Sequence, residues 1–147
     1  MFTRRCWRSA LPPPTPEPGG GTALHECGIL PGTASNSQPY TLSELDAAGL
    51  SLDLFMPELA FWSFTHGFSK PDPHVCRLLG SRLQFLGIPV EATLMIGDRR
   101  DIDIEPALVQ GWQASQLKAT PDVHPGGDWN QLRQWLHEKL LSYNERT

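Results

Sequence analysis

Two carboxylates, Asp98 and Asp103, stand close together in the stretch Met95-Ile96-Gly97-Asp98-Arg99-Arg100-Asp101-Ile102-Asp103. Hard oxygen donors so placed suit Mg²⁺, which takes one or two carboxylates and completes its octahedron with water and phosphate oxygens. Taken alone, the same letters also fit an Asp98 that caps the next helix and an Asp103 left in solvent. Upstream lies Gly67-Phe68-Ser69-Lys70-Pro71-Asp72-Pro73. Pro71 and Pro73 keep the chain around Lys70 extended until a helix begins. Pro73 suits the first turn of that helix, with Asp72 as its N-cap. A lysine fixed at such a junction is a point charge suited to a phosphate or a carboxylate.

The elements that must position these groups alternate in α/β fashion. Thr93 to Ile96 is continuously apolar and bounded by turn formers, as a buried parallel strand is. Gly97 lets the chain turn, and Asp98 then projects into the crevice where α/β sheets bind ligands. Before it, His74 to Leu86 carries Val75, Leu78, Leu79, Leu83 and Leu86 at helical spacing, closed by Gly87. Further elements are a strand over Gly28 to Ala34 and a short helix opened by a capping box at Thr41-Leu42-Ser43-Glu44 and stopped at Gly49. A strand over Leu54 to Trp62, irregular at Pro57, follows. After the Gly-Asp turn come a helix from Ile104 to Gln110, a strand from Trp112 to Leu117, and a last helix capped by Asp128. That helix aligns Trp129, Leu132, Leu136, Leu140 and Tyr143 on one face, expected to pack in the core.

Lys-Pro-Asp-Pro, a helix, an apolar strand and Gly-Asp-x4-Asp, in that order, resemble the C-terminal half of the haloacid dehalogenase-like (HAD) hydrolase superfamily, over about residues 25 to 120. The resemblance implies an incomplete Rossmann-like α/β sandwich of three layers with a mostly parallel sheet. It makes Lys70 the lysine of the third motif and gives Mg²⁺ to Asp98 and Asp103. Thr33-Ala34-Ser35-Asn36-Ser37 matches the second motif, with the Ser35 hydroxyl and the Asn36 backbone N–H on phosphate oxygens. Ser63, Gly67 and Lys70 match a spacing that relatives often carry between those motifs.

The first motif of the family is missing. It is an Asp-x-Asp ending the central strand, whose first Asp is the nucleophile. The only acids before Ser35 are Glu17 and Glu26, and neither follows an apolar strand. Asp101-Ile102-Asp103 has the letters but lies beyond the Gly-Asp turn. The usual cap domain is absent as well. The resemblance therefore implies a Mg²⁺-dependent hydrolase of phosphatase type, truncated and inactive alone, with a small phosphorylated metabolite as substrate if it acts. The alternatives are a non-catalytic module that binds phosphate, Mg²⁺ or another protein, and a remnant without function. Lacking the central strand, the Ser35 and Gly-Asp strands are expected to pair directly, leave a gap or recruit another chain. Such exposed edges favour self-association or a partner.

Residues 1–24 read as a disordered Pro/Gly-rich leader and 25–147 as the partial core domain. A formal net charge of −4 without a basic stripe argues against nucleic acid. No apolar run reaches membrane-spanning length. Three scattered cysteines make a disulfide framework improbable and fit a reducing cytoplasm. The His-x-Cys pairs at His25 and His74 are set aside as zinc sites, since positions i and i+2 of a helix diverge. His66 and His124 are expected in surface loops, and Arg99 and Arg100 are expected to pair with Asp101 and Glu105.

Overall fold

A computed structural model describes residues 2–4, 24–25, 28–118 and 126–144 of the chain. Its strands are β1 (Phe2–Arg4), β2 (Ile29–Pro31), β3 (Thr33–Ser35), β4 (Ala60–Trp62), β5 (Thr93–Gly97), β6 (Gln113–Leu117) and β7 (Gly126–Gly127). The helices are α1 (Thr41–Ala47), α2 (Ser63–His66), α3 (Pro73–Phe85), α4 (Glu105–Val109) and α5 (Trp129–Asn144). No helix among the described residues is long and apolar enough to cross a membrane.

The main sheet has the order β2-β1-β5-β6-β7. β5 pairs in parallel with β6, and β6 with β7, so Gly97 and Gln116 lie opposite each other at the carboxyl end. β1 runs antiparallel to both β2 and β5, with Phe2 opposite Pro31 on one side and Leu94 on the other. The place expected to stand empty, or to be closed by direct pairing or another chain, is thus taken by Phe2–Arg4. Residues 2–4, expected to be disordered as part of the leader, thus form a strand, while residues 1 and 5–23 of that leader lie outside the described residues.

The strand expected over Gly28 to Ala34 is split at Gly32. Its first half, β2, pairs with β1; its second half, β3, pairs in parallel with β4. Gly32 allows Leu59 to pass against the main chain: a Cβ there would lie 2.7 Å from the Leu59 carbonyl oxygen. The strand expected over Leu54 to Trp62 is confined to β4; two 3-10 turns, Leu52–Leu54 and Pro57–Leu59, come ahead of it. Pro57 has no N–H to give a ladder and opens the second turn. Met56 N–H still reaches the Pro31 carbonyl at 2.8 Å, joining this segment to β2.

α3 forms as its spacing predicts. Pro73 occupies its first turn, and the Asp72 carboxylate accepts from His74 N–H at 2.9 Å. Main-chain and then ring hydrogen bonds from His74 hold the Asp72 carboxyl below its usual range. Val75, Cys76, Leu79 and Leu83 face the core, where they meet Leu59, Phe61, Met95, Ile104, Ala107 and Trp112. Leu78 and Leu86 pack at its margin.

Two helix starts differ in detail. α1 begins at Thr41 with Tyr40 as N-cap and no side-chain cap. Thr41 Oγ1 instead accepts from Gln38 N–H, outside the helix, so the capping box does not form. α5 starts as expected, Asp128 Oδ1 accepting from Asn130 and Gln131 N–H. Of its apolar stripe, Leu132 is buried but Trp129, on the opening turn, is 67% exposed. The side chains of Leu140 and Tyr143 lie outside the described residues.

Candidate functional site

β5 ends at Gly97, Asp98 bends the chain, and Arg99 runs extended into a π-type turn over Arg100–Ile104. That turn is wider than an α-turn: the Arg99 carbonyl accepts from both Asp103 N–H (2.8 Å) and Ile104 N–H (3.3 Å). The extra width folds Asp103 back over the strand end. Its Oδ2 accepts from Arg99 N–H at 3.1 Å, and a Cβ on Gly97 would lie 2.5 Å from the carboxylate. Glycine is required at 97 by this close approach.

The Lys70 ammonium donates to Oδ1 of Asp103, and both side chains are largely buried, 13% and 5% exposed. Lysine and acid, read from motifs 33 residues apart, therefore converge on one rim. Asp98 is exposed beside them, its carbonyl accepting from the buried Gln116 Nε2 at 3.2 Å. Ser35, half-buried, ends β3, and its hydroxyl has no hydrogen-bond partner among the described residues. Next to it, Asn36 Oδ1 accepts from Lys70 N–H at 2.8 Å, while Asn36 Nδ2 donates to the Lys70 carbonyl at 2.7 Å. A second link follows at once: Ser37 N–H donates to Ser63 Oγ at 2.9 Å, which donates back to the Ser37 carbonyl at 3.1 Å. The β3 end, the lysine loop and the start of α2 are thereby tied together.

The neighbouring arginines are occupied as expected. Arg99 forks onto both oxygens of Asp101 at 3.1 and 2.8 Å, and Arg100 Nε reaches Glu105 at 2.8 Å. The guanidinium hydrogen bonds hold the Asp101 carboxyl below its usual range and raise Arg99 in turn. Cys76 lies buried within reach of the field of the Lys70–Asp103 pair. Burial pushes its thiol up, with Lys70 opposing and Asp103 adding.

His66 is not the free loop residue expected. It closes α2, half-buried, stacked on Phe61 at 4.6 Å, with Nδ1 near Thr65 Oγ1 (2.7 Å) and the Trp62 carbonyl (3.0 Å). His74 is exposed whereas Cys76 is buried, so that pair shares no face. His124, Glu26 and Cys27 lie outside the described residues.

The donor types at this rim fit Mg²⁺. Asp98 and Asp103 are hard oxygen ligands in the number that Mg²⁺ takes when water and phosphate fill the other positions. Among the described residues no group of three metal-binding side chains exists, so the protein alone does not make a closed cage. Asp103 also has both oxygens engaged by Lys70 and Arg99 N–H, which leaves Asp98 as the more available donor.

Comparison with known proteins finds a family model and solved structures that the chain resembles. Residues 67–118, from the glycine before Lys70 to the end of β6, match the family model of HAD-hydrolase-like proteins. A HAD phosphatase from Thermococcus onnurineus superposes with a TM-score of 0.61 at 23% identity, covering 77% of this chain and 53% of that one. YfnB of Bacillus subtilis, a putative HAD-hydrolase crystallised with magnesium, gives a TM-score of 0.55 at 24% identity, over 71% and 46%. Nothing matches among curated proteins. This chain spans about half the length of those two structures. Its α/β fold is like that of these two structures, and residues 67–118 are similar to the HAD-hydrolase-like family model.

Two participants had no signal in the sequence. The Arg99 main-chain N–H acts through a turn whose π register no motif announces. Gln116 carries no mark that sets it apart within the strand expected over Trp112 to Leu117, yet it is 1% exposed. Asn36 is singled out by the second-motif match, but only for its main-chain N–H, not for the side chain that bonds Lys70.

Proposed function

We propose that this chain is a HAD-type phosphate-binding domain of the Mg²⁺-dependent phosphatase class that does not turn over by itself. Lys70 would meet an anionic phosphate oxygen, with the Ser35 hydroxyl and the Asn36 main-chain N–H donating to others. Asp98 and Asp103 would hold Mg²⁺, which lowers the repulsion between an anionic substrate and nearby acids. The single observation that carries this proposal is the convergence of Lys70 on Asp103 beside Asp98.

Catalysis through a covalent aspartyl intermediate needs a carboxylate within attack distance of the phosphorus. Between β2 and β5, where the resemblance puts that acid, stands Phe2-Thr3-Arg4, which carries none. Loss of such a nucleophile typically costs several orders of magnitude in rate. Binding survives that loss. Three charge-assisted hydrogen bonds at about 2 kcal/mol each, less about 2 kcal/mol for the Lys70–Asp103 bond that phosphate competes with, correspond to a Kd on the order of 1 mM for inorganic phosphate. Activity, if a nucleophile is supplied, would be on a small phosphorylated metabolite in a reducing cytoplasm.

Isothermal titration with inorganic phosphate and Mg²⁺, beside a p-nitrophenyl phosphate assay, tests this. The expected result is millimolar phosphate binding that Asp98→Ala weakens, without hydrolysis. Hydrolysis abolished by Asp98→Ala would overturn the inactivity, and absence of phosphate binding would overturn the binding role.

A further inference from the structure

The carboxamide of Asn36 makes two hydrogen bonds, and both go to the main chain of the same residue. Oδ1 accepts from Lys70 N–H at 2.8 Å, and Nδ2 donates to the Lys70 carbonyl at 2.7 Å. A side chain that takes the donor and the acceptor of one residue imitates a single rung of a β-ladder. It fixes the height of that residue and also its rotation, which one bond could not do. Asparagine is suited to this: it carries donor and acceptor at the required reach, whereas aspartate cannot donate and serine is shorter. The loop has few other means of fixing Lys70, because Pro71 contributes no N–H.

We infer that the Asn36 side chain is the positioning residue for Lys70, fixing the base of its side chain so that the ammonium stays on the rim beside Asp103. It rests on the phosphate role proposed for Lys70, and it gives Asn36 a second task besides its main-chain N–H. Lysine has a long, mobile stem, and a charge on such a stem is a precise phosphate ligand only when its freedom is removed. Here the stem is held at both ends, by Asn36 at the main chain and by Asp103 at Nζ. The clamp also couples the two halves of the site. Asn36 directly follows Ser35, so the segment that carries the hydroxyl also holds the base of the Lys70 side chain.

Asn36→Ala separates the two tasks, because it deletes the carboxamide and keeps the main-chain N–H. The measurements, on the full chain, are hydrogen exchange of the Lys70 amide, the ¹⁵N-edited NMR signal of Lys70 Nζ, and titration with inorganic phosphate and Mg²⁺. The expected result is at least tenfold faster exchange at Lys70, broadening of its Nζ signal, and a several-fold loss of phosphate affinity. Asn36→Asp keeps an acceptor and is expected to restore protection of the Lys70 amide in part. Thr41→Ala serves as the control, since it removes a bond to Gln38 N–H in the same loop without touching Lys70. It is expected to leave all three readouts at wild-type values. Unchanged Lys70 exchange and Nζ signals in Asn36→Ala would overturn the inference, as would equal changes in Thr41→Ala. If wild-type protein binds no phosphate, the proposed function fails, and the Lys70 exchange and Nζ signals still decide whether the clamp exists.

Discussion

Replacing Gly97 by alanine tests the geometry of the rim with a single methyl group. The added carbon would stand 2.5 Å from Cβ, Cγ and Oδ2 of Asp103. Carbon and oxygen atoms settle at about 3.5 Å, so the carboxylate or the strand end must move by roughly 1 Å. Gly97 does not occupy the left-handed region, so alanine suffers no backbone penalty and the cost is steric. Overpacking of this kind costs about 1–3 kcal/mol. The Asp103 carboxylate cannot move that far and keep both Arg99 N–H and Lys70, which adds about 1 kcal/mol per weakened bond. A total of about 2–4 kcal/mol lowers Tm by roughly 8–16 °C in a domain of this size. Thermal unfolding of Gly97→Ala, Asp103→Gly and the double variant, followed by circular dichroism, gives the cycle. Removing the Asp103 side chain removes the clash, so the double variant should be more stable than the sum of the singles predicts by at least about 1 kcal/mol. A Gly97→Ala protein melting within a degree of wild type, or a strictly additive cycle, would refute the close approach.

Other consequences are open to direct measurement. Asp103→Asn leaves the largely buried Lys70 without its countercharge and should lower the urea midpoint, at a cost of about 1–3 kcal/mol, less than for a fully buried pair. Lys70→Met with Asp103→Leu should lie closer to wild type than either charge removed singly. Gln116→Leu takes away the donor to the Asp98 carbonyl and should cost about 1 kcal/mol, read from the same transition. Arg99→Ala should melt with wild-type protein, because its side chain only forks onto exposed Asp101, whereas Arg99→Pro deletes the N–H that holds Asp103 and should melt markedly lower. In a background with Cys6 and Cys27 changed to serine, Cys76 should resist iodoacetamide at pH 8 until the protein unfolds. Its thiol is raised in the folded state, so the associated stability is complete below the ordinary thiol pKa of about 8.5 and declines as pH rises through the folded value. Cys76→Ala should flatten that decline.

What the sequence disclosed was unequal along the chain, for physical reasons. α3 and β5 were legible because burial imposes a period and caps mark the ends: Asp72 and Pro73 open α3, and Gly97 closes β5. Lys70 and Asp103 were legible as chemistry, though their contact was not, since the residues between them carry no information about the width of the turn at Arg100. The stretch from Leu54 to Trp62 misled because its apolar content is shared between a turn that packs Leu59 inward and a three-residue strand that buries Phe61, rather than one continuous ladder. Thr41 carried the letters of a capping box, but its hydroxyl found Gln38 first. β1 was illegible for a different reason. Three residues hold no periodicity, and their pairing is decided by the vacancy between two distant strands.

That pairing has a kinetic consequence. Phe2 meets Leu94, and Thr3 meets Thr93, across some ninety residues of intervening chain. Contacts so remote in sequence repay their loop-closure entropy late, and a rung count this small offers little reward for closing early. The centre of the sheet should therefore be the last part to assemble and the first to open, with the β5–β6 pair already formed around it. In pulse-labelling experiments the amides of β5 facing β6 should acquire protection well before those facing β1.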